Sequence, residues 1–506
     1  MPKKTEHQKS SSNRPRIPRI ATGIEGLDII LEGGIPNNRV TLISGTAGSG
    51  KTVLGSEFIW RSIIHEDVNC VFVTFEETAD RIKQNIRSFG WNFEALEDQE
   101  RISFVEFTQG GLVPQMVAGN FDLTVIVERI RLAIEKIDAK RVFIDSISAF
   151  FEQMDSRPPV RRMLLDLSRR LTEMGVTTLL TAERYEEYGS LSAYRSETFV
   201  SDCVIILRHV LEEEKTRRTV QVLKYRGSSH KQGEYPFTIA NQGIVVVPVV
   251  GMKLTAKSSN VRISSGNEGL DQMCGGGFFR DSIILVSGPT GTGKTMLASA
   301  FTHAAMKENE RAILFAYEES RDQLLRNGTS FGVNLEEMEK KGLLRIVCEY
   351  PETCGPEEHL LRMKRHINEF KPDRIAVDSL SAMERVVTER SFREFVIALT
   401  SHTKQEQIAG LFTNTTATIL GGESITESHI STLTDSIILL RYVETSGQMR
   451  RGITVIKMRG SMHDKDIMEY VITSDGMQFM EPFTGISGIM TGSVYSNAVV
   501  EGRTSK

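Results

Sequence analysis

Glycines, a lysine and a hydroxyl recur in one spacing at two places in this chain. Gly45-Thr46-Ala47-Gly48-Ser49-Gly50-Lys51-Thr52 and Gly288-Pro289-Thr290-Gly291-Thr292-Gly293-Lys294-Thr295 both fit G-x-x-x-x-G-K-[ST]. Such a segment binds phosphate: the glycines let backbone N–H groups close around phosphate oxygens, and the lysine reaches the outer phosphates. The following hydroxyl, here Thr52 or Thr295, ligates Mg²⁺. Val53 and Met296 follow in the first turn of the helix that each loop opens, and the helix N-terminus adds its dipole. Carboxylates complete the set. Asp145 and Asp378 each end an apolar run, a position suited to a Mg²⁺ carboxylate. Glu76-Glu77 and Glu318-Glu319 each follow another apolar run, where a carboxylate can polarise a nucleophile in line with a γ-phosphate. Thr78 and Ser320 after them could also open helices, and spacing leaves open which glutamate of each pair is the base.

These residues need strands that end together and helices that start there. Apolar runs such as Val40–Ser44 and Ser282–Ser287 read as buried strands, and they alternate with helix-patterned stretches such as Val160–Glu173 and Phe392–Gln405. That alternation predicts an α/β fold, two tandem P-loop domains each built on a mostly parallel sheet flanked by helices. Ligands then belong at the carboxyl ends of the strands. The chain is also an internal duplication. Gly26-Leu27-Asp28 recurs as Gly269-Leu270-Asp271, and Arg141-Val-Phe-Ile-Asp145-Ser146 as Arg374-Ile-Ala-Val-Asp378-Ser379. Lys224-Tyr225-Arg226-Gly227 recurs as Lys457-Met458-Arg459-Gly460. The expected division is a basic disordered tail over 1–19, a first domain over 20–247 and a linker over 248–262. A second domain follows over 263–485, then a C-terminal loop and short tail over 486–506. The Lys-x-Arg-Gly cations fall far along the chain from the local P-loop. Their expected use is across a subunit interface, completing a neighbour's nucleotide site within a ring.

Composition narrows the class. Of 506 residues, 40% are hydrophobic and 25% charged, as in a globular protein with ample core. No apolar stretch approaches a membrane span and no signal-peptide pattern opens the chain. Five scattered cysteines lack metal-ligand spacing and read as reduced, which fits the cytoplasm. A formal net charge of −4 gives no general pull toward nucleic acid.

Together these residues resemble the KaiC family, double-domain RecA-like ATPases and autokinases of bacterial clocks. The similarity runs from about Thr22 to about Gly492. Its most specific segment is Ile425-Thr426-Glu427-Ser428-His429-Ile430-Ser431-Thr432-Leu433-Thr434-Asp435-Ser436. The resemblance implies autophosphorylation at Ser431 and Thr432, with Thr426 a third hydroxyl handling phosphate, and Arg385 pairing with the new phosphate. By the offset of Asp202 and Asp435, the acceptor pair aligns with Thr198 and Phe199 of the first half. That difference implies hydrolysis in the first half and hydroxyl phosphorylation in the second.

By the same resemblance, ATP and Mg²⁺ are the ligands, and the assembly is a homohexamer. Glu76 or Glu77 would activate water and Glu318 the acceptor hydroxyl, with Glu318 also a metal ligand beside Thr295 and Asp378. Ser88, Lys224, Tyr225, Arg226, Ser228 and His230 match nucleotide contacts of the first site. Phe331, Arg451, Lys457, Met458, Arg459, Ser461, Met462 and His463 match those of the second. Phe331 and Met462 stand where better-known members carry tryptophans. A KaiB-like partner on the first domain is implied. The end from Ser493 to Lys506 lacks the long charged tail that recruits the family's activator, so dependence on a KaiA-type activator is not expected.

Two other classes share the ATPase core. A RecA or helicase-like DNA motor should show basic, glycine-rich loops after the Mg²⁺ aspartate. Ser146–Pro159 instead has acids and the single Arg157, and Arg385, Arg390 and Arg393 are offset by Glu384, Glu389 and Glu394. A nucleotide-sensing scaffold would not need intact lysines, hydroxyls and glutamates at both sites.

Overall fold

The computed structural model describes residues 17–107, 123–151, 157–188, 201–212, 215–248, 258–416, 430–445, 447–484, 486–487, 489 and 495–496. The chain forms two compact units, Met1–Gly251 and Met252–Lys506.

In the first unit β1 (Val40–Gly45) runs into the P-loop and then α1 (Lys51–Glu66). There follow β2 (Cys70–Thr74), α2 (Ala79–Ile86), β3 (Ile102–Glu106), α3 (Leu123–Ile137), β4 (Arg141–Asp145), α4 (Arg157–Glu173) and β5 (Thr177–Glu183). A meander closes the unit: β6 (Cys203–Glu212), β7 (Lys215–Tyr225), β8 (Glu234–Ala240) and β9 (Gly243–Val246). These strands make one nine-stranded sheet in the order β9-β8-β7-β6-β1-β5-β4-β2-β3. From β6 to β3 every pairing is parallel. The meander pairs antiparallel.

Both faces of the parallel part are covered, so its strands are apolar throughout rather than alternating. Successive β1 residues feed opposite cores: Ile43 joins Phe58, Phe72 and Phe143, while Val40 and Leu42 join Ile130, Leu164 and Leu180.

The second unit repeats the plan. It contains β10 (Ile283–Gly288), α5 (Lys294–Ala304), β11 (Ala312–Ala316), α6 (Arg321–Ser330), β12 (Leu344–Cys348) and α7 (Pro356–Phe370). Then come β13 (Arg374–Asp378), α8 (Glu389–Gln405), β14 (Ala409–Thr415), β15 (Ser436–Thr445), β16 (Gln448–Met458), β17 (Met468–Thr473) and β18 (Gly476–Pro482). Sheet order is β18-β17-β16-β15-β10-β14-β13-β11-β12, the same as in the first unit. The architecture is therefore two similar mixed α/β sheets flanked by helices, tandem RecA-like P-loop domains.

The consequence for function is positional. In each sheet the P-loop strand, the glutamate strand and the aspartate strand run parallel and end on one edge, where a phosphate can meet all three. All five cysteines are free thiols, and Cys70, Cys203 and Cys274 are buried. No described helix is long and apolar enough to cross a membrane.

Candidate nucleotide sites and the Ser431-Thr432 turn

Each P-loop turns because glycine allows it. Gly50 and Gly293, at the N-caps of α1 and α5, have φ of 100° and 95°, where a β-carbon would be strained. Ser49 and Thr292 brace the loop from inside, each hydroxyl donating 2.8 Å to a carbonyl three residues back. The antiparallel strands hold it from outside. Tyr470 Oη donates to Thr292 O at 2.6 Å, and Tyr442 Oη to Thr290 O at 3.4 Å. Arg451 stacks over Tyr442, 5.7 Å from the ring centre, so it belongs to this same edge.

The lysines curl back over the loops. Lys51 Nζ donates to Gly45 O and Thr46 O at 2.9 and 2.8 Å, and Lys294 Nζ to Gly288 O and Pro289 O at 2.8 and 2.9 Å. Burial lowers the pKa of both. At Lys51 this is opposed by Glu183, Asp145, Glu76 and Glu187, and at Lys294, among the described residues, by Asp378 and Glu318.

Thr52 Oγ1 donates to Asp145 Oδ2 at 2.6 Å, and Thr295 bonds Asp378 in the same way. The other aspartate oxygen takes a hydroxyl from the neighbouring strand, Thr181 at 2.5 Å in one half and Thr413 in the other. Burial raises both aspartate pKa values, and these hydroxyls oppose the rise. The peptides Asp145–Ser146 and Asp378–Ser379 are both cis. A threonine hydroxyl beside a carboxylate is a hard-oxygen set of the kind Mg²⁺ takes, with phosphates and water supplying the remaining ligands. Among the described residues no group of three or more His, Cys, Asp or Glu could hold a metal alone.

The glutamates separate by environment. Ser146 Oγ donates to Glu76 at 2.5 Å and Ser379 Oγ to Glu318 at 3.3 Å, so the first glutamate of each pair faces the aspartate strand. The second is tied to its own helix, Glu77 by Asn85 at 3.1 Å and Glu319 by Asn327 at 2.9 Å. Burial, with Asp378 nearby, raises the Glu319 pKa. Thr78 and Ser320 do cap α2 and α6, so the helix-opening role coexists with the glutamates' placement. Glu318 carries one partner more than Glu76 does among the described residues: Arg385 also bonds to it. The duplication aligns Arg385 with Glu152, an opposite charge.

A cleft of about 440 Å³ opens over the second P-loop. Thr290, Gly291, Gly293, Lys294, Thr295, Met296, Glu318, Glu319, Phe331, Asp378 and Thr415 line it. Phe331 thus lies beside its own P-loop. Ser88, in the corresponding turn after α2, is exposed and donates to Asn85 O at 3.0 Å.

The remaining expected contacts lie elsewhere. Lys224 pairs with Val204 and Tyr225 with Cys203, at the start of β6, and Met458 pairs with Ser436 at the start of β15. That is the amino edge of the parallel strands, whereas the P-loops leave the carboxyl edge. Tyr225 is buried and donates to Gly34 O at 3.1 Å. Ser228, His230, Ser461, Met462 and His463 follow on the same edge.

The Ser431-Thr432 turn is there too. Lys457 Nζ donates to Ser431 O at 2.8 Å and Thr434 O at 2.7 Å, and Arg459 donates to Thr432 O at 3.0 Å. Asp435 N donates to Ile283 O, at the first residue of β10. A strand of this length puts roughly 15–20 Å between the Ser431-Thr432 turn and its own P-loop. Thr426 falls outside the described residues.

Several site residues escaped the sequence reading: Thr181 and Thr413, Ser146 and Ser379, Asn85 and Asn327. Each pair sits at matching offsets in the two halves, so the duplication itself was the signal that could have found them.

The family model described as "ATPase: KaiC" matches residues 20–250 and again 263–483. The chain is 53% identical over 489 residues to the circadian clock oscillator protein KaiC of Acaryochloris marina, covering 97% of this chain and 94% of that one. It is 53% identical over 479 residues to the circadian clock protein KaiC3 of Synechocystis, with 94% of each chain covered. The KaiC of Thermosynechococcus vestitus is 52% identical over 490 residues, covering 96% and 94%. With both halves matched and the two P-loop sites built alike, the chain belongs to the KaiC family of ATPases.

Proposed function

We propose that this protein is a hexameric ATPase and serine/threonine autokinase, hydrolysing ATP in the first half and phosphorylating Ser431 and Thr432 in the second. The carrying observation is that the Ser431-Thr432 turn rests on Lys457 and Arg459, an edge away from its own Glu318 and Lys294. Reacting atoms must approach to about 3–3.5 Å, so a protomer's acceptors need a neighbour's nucleotide. Closed rings of one chain supply that arrangement at every interface. The relatives' clock role supports a function in circadian timing or a related bacterial signal, and a KaiB-like protein on the first half is the partner to test.

In the second half the acceptor Oγ attacks the γ-phosphorus. The bond to the β–γ bridging oxygen breaks, its electron pair leaves with ADP, and the hydroxyl proton passes to Glu318. In the first half water takes the hydroxyl's place and Glu76 the proton. Lys51 and Lys294 hold the outer phosphates. Mg²⁺, held by Thr52 and Asp145 or by Thr295 and Asp378, supplies neutralisation of charge on the β- and γ-phosphates. Ser379 and Arg385 each take one oxygen of Glu318, which leaves each oxygen a second acceptor site for an arriving hydroxyl.

Incubating the purified protein alone with Mg-ATP should label Ser431 and Thr432, and Ser431→Ala with Thr432→Ala should remove the label. Phosphopeptide mapping that finds phosphate only at other residues would overturn the autokinase reading.

A further inference from the structure

Lys457 and Arg459 can serve a neighbouring protomer only if the segment that follows them is aimed outward and held. The segment is short and begins with glycine in a left-handed conformation, Gly227 (φ 69°) or Gly460 (φ 72°). It carries Ser228 and His230 in one half, Ser461, Met462 and His463 in the other. Met462 is 90% exposed. His230 Nδ1 and His463 Nδ1 are shut from solvent, and neither has a hydrogen-bond partner among the described residues.

One residue fixes this arm in each half. Arg19 donates through one amino group to Leu31 O and Glu32 O, and through the other to Ser228 Oγ and, at 2.9 Å, to Ser229 O. Its guanidinium lies over the Tyr225 ring, 4.7 Å from the centre. Arg262, 243 residues later, repeats the arrangement. It donates to Cys274 O at 3.0 Å and to Gly277 O and Ser461 Oγ, with the Phe279 ring 4.1 Å away. Each guanidinium clamps the arm to the turn ending a short helix, Leu27–Ile30 or Glu268–Met273. A planar guanidinium with separate amino groups reaches the turn and the arm from opposite ends while stacking on the ring, a geometry an ammonium does not reproduce.

We infer that Arg19 and Arg262 are positioning residues for the arm through which each protomer completes its neighbour's nucleotide site. This rests on the reading that acceptors are phosphorylated across the interface. The test mixes subunits. Arg262→Ala protomers, whose P-loop is intact, are assembled with Lys294→Ala protomers, whose arm is intact, and radiolabelled ATP is added. Each variant alone should lose at least tenfold in labelling of Ser431 and Thr432. The mixture should recover label on the Lys294→Ala protomer, which cannot hold its own γ-phosphate. Ser461→Ala, which leaves the arginine's bonds to the helix turn, should give the same pattern with a smaller loss.

Lys457→Ala in place of Arg262→Ala separates the two readings. If the Lys457→Ala mixture recovers label while the Arg262→Ala and Ser461→Ala mixtures do not, the arginine only supports its own domain and the inference fails. If no mixture recovers label, phosphorylation across the interface is itself wrong. Wild-type labelling by Arg262→Ala alone would also overturn the inference.

Discussion

Glu318 and Glu76 occupy equivalent places but meet different neighbours. Both accept a serine hydroxyl, while Glu318 is also held by Arg385, at a position where the first half carries Glu152. Proton transfer by a positioned base contributes about 10²–10⁴-fold, so Glu318→Gln should slow acceptor labelling by that factor and leave hydrolysis by the first half intact. Glu76→Gln should do the reverse. Measuring phosphate release and phosphoserine separately on both variants checks this; equal loss of both activities in either variant would contradict it. The lysines differ as well. Burial lowers the pKa of both, and the carboxylates of each P-loop site oppose it, Glu183 first at Lys51 and Asp378 first at Lys294.

Strand ends set the geometry at the scale of elements. Thr181 on β5 reaches across to Asp145 on β4, and removing its hydroxyl leaves a buried carboxylate one donor short. Thr181→Val should therefore cost roughly 1–3 kcal/mol and push the Asp145 pKa further up, since that hydroxyl opposes the rise caused by burial. Chemical denaturation with and without ADP would show it, and an unchanged midpoint would refute it.

Helix α7 carries another buried group. His359 lies against Pro351 O at 3.2 Å, Glu349 at 3.4 Å and the Tyr317 ring. Burial lowers its pKa, with partial relief from Pro351 and Glu349. The unfolded chain then takes up a proton at higher pH than the native one. The stability held above about 6.5 is lost as pH falls through the lowered native value. His359→Gln should flatten that acid limb in thermal unfolding. A slope identical to the unmodified protein's between pH 7 and 5 would show that other groups govern it.

The P-loops, Asp145 and Asp378, the strand alternation and the duplication were all readable because each is local: a spacing, an apolar run or a repeat. The hydroxyls of Thr181 and Thr413 were not readable from either strand alone, because a lone threonine looks the same whether it holds an aspartate or merely fills a core; only their recurrence in the duplication marks them. The sorting of expected nucleotide contacts onto two edges was equally hidden. Phe331 and Arg451 stay with their own P-loop, while Lys457, Ser461 and Met462 do not.

For the whole molecule, the proposed sharing of nucleotide sites between protomers requires more than one copy. Sedimentation in saturating Mg-ATP should give a species of six chains, and Lys224→Ala with Lys457→Ala should slow catalysis more than it weakens assembly. A monomer under those conditions would remove the case for shared sites.

What the sequence determined by itself was the inventory: two P-loop halves, their phosphate loops, their acids, and a Ser431-Thr432 pair that aligns with Thr198 and Phe199 in the first half. These follow from the spacing that phosphate and metal impose on neighbouring residues. Only the tertiary structure decided which edge of the sheet each of these residues occupies. The sheet places Ser431 and Thr432 at the opposite end of the strands from Glu318, and strand direction, not residue type, fixes the distance between the two ends.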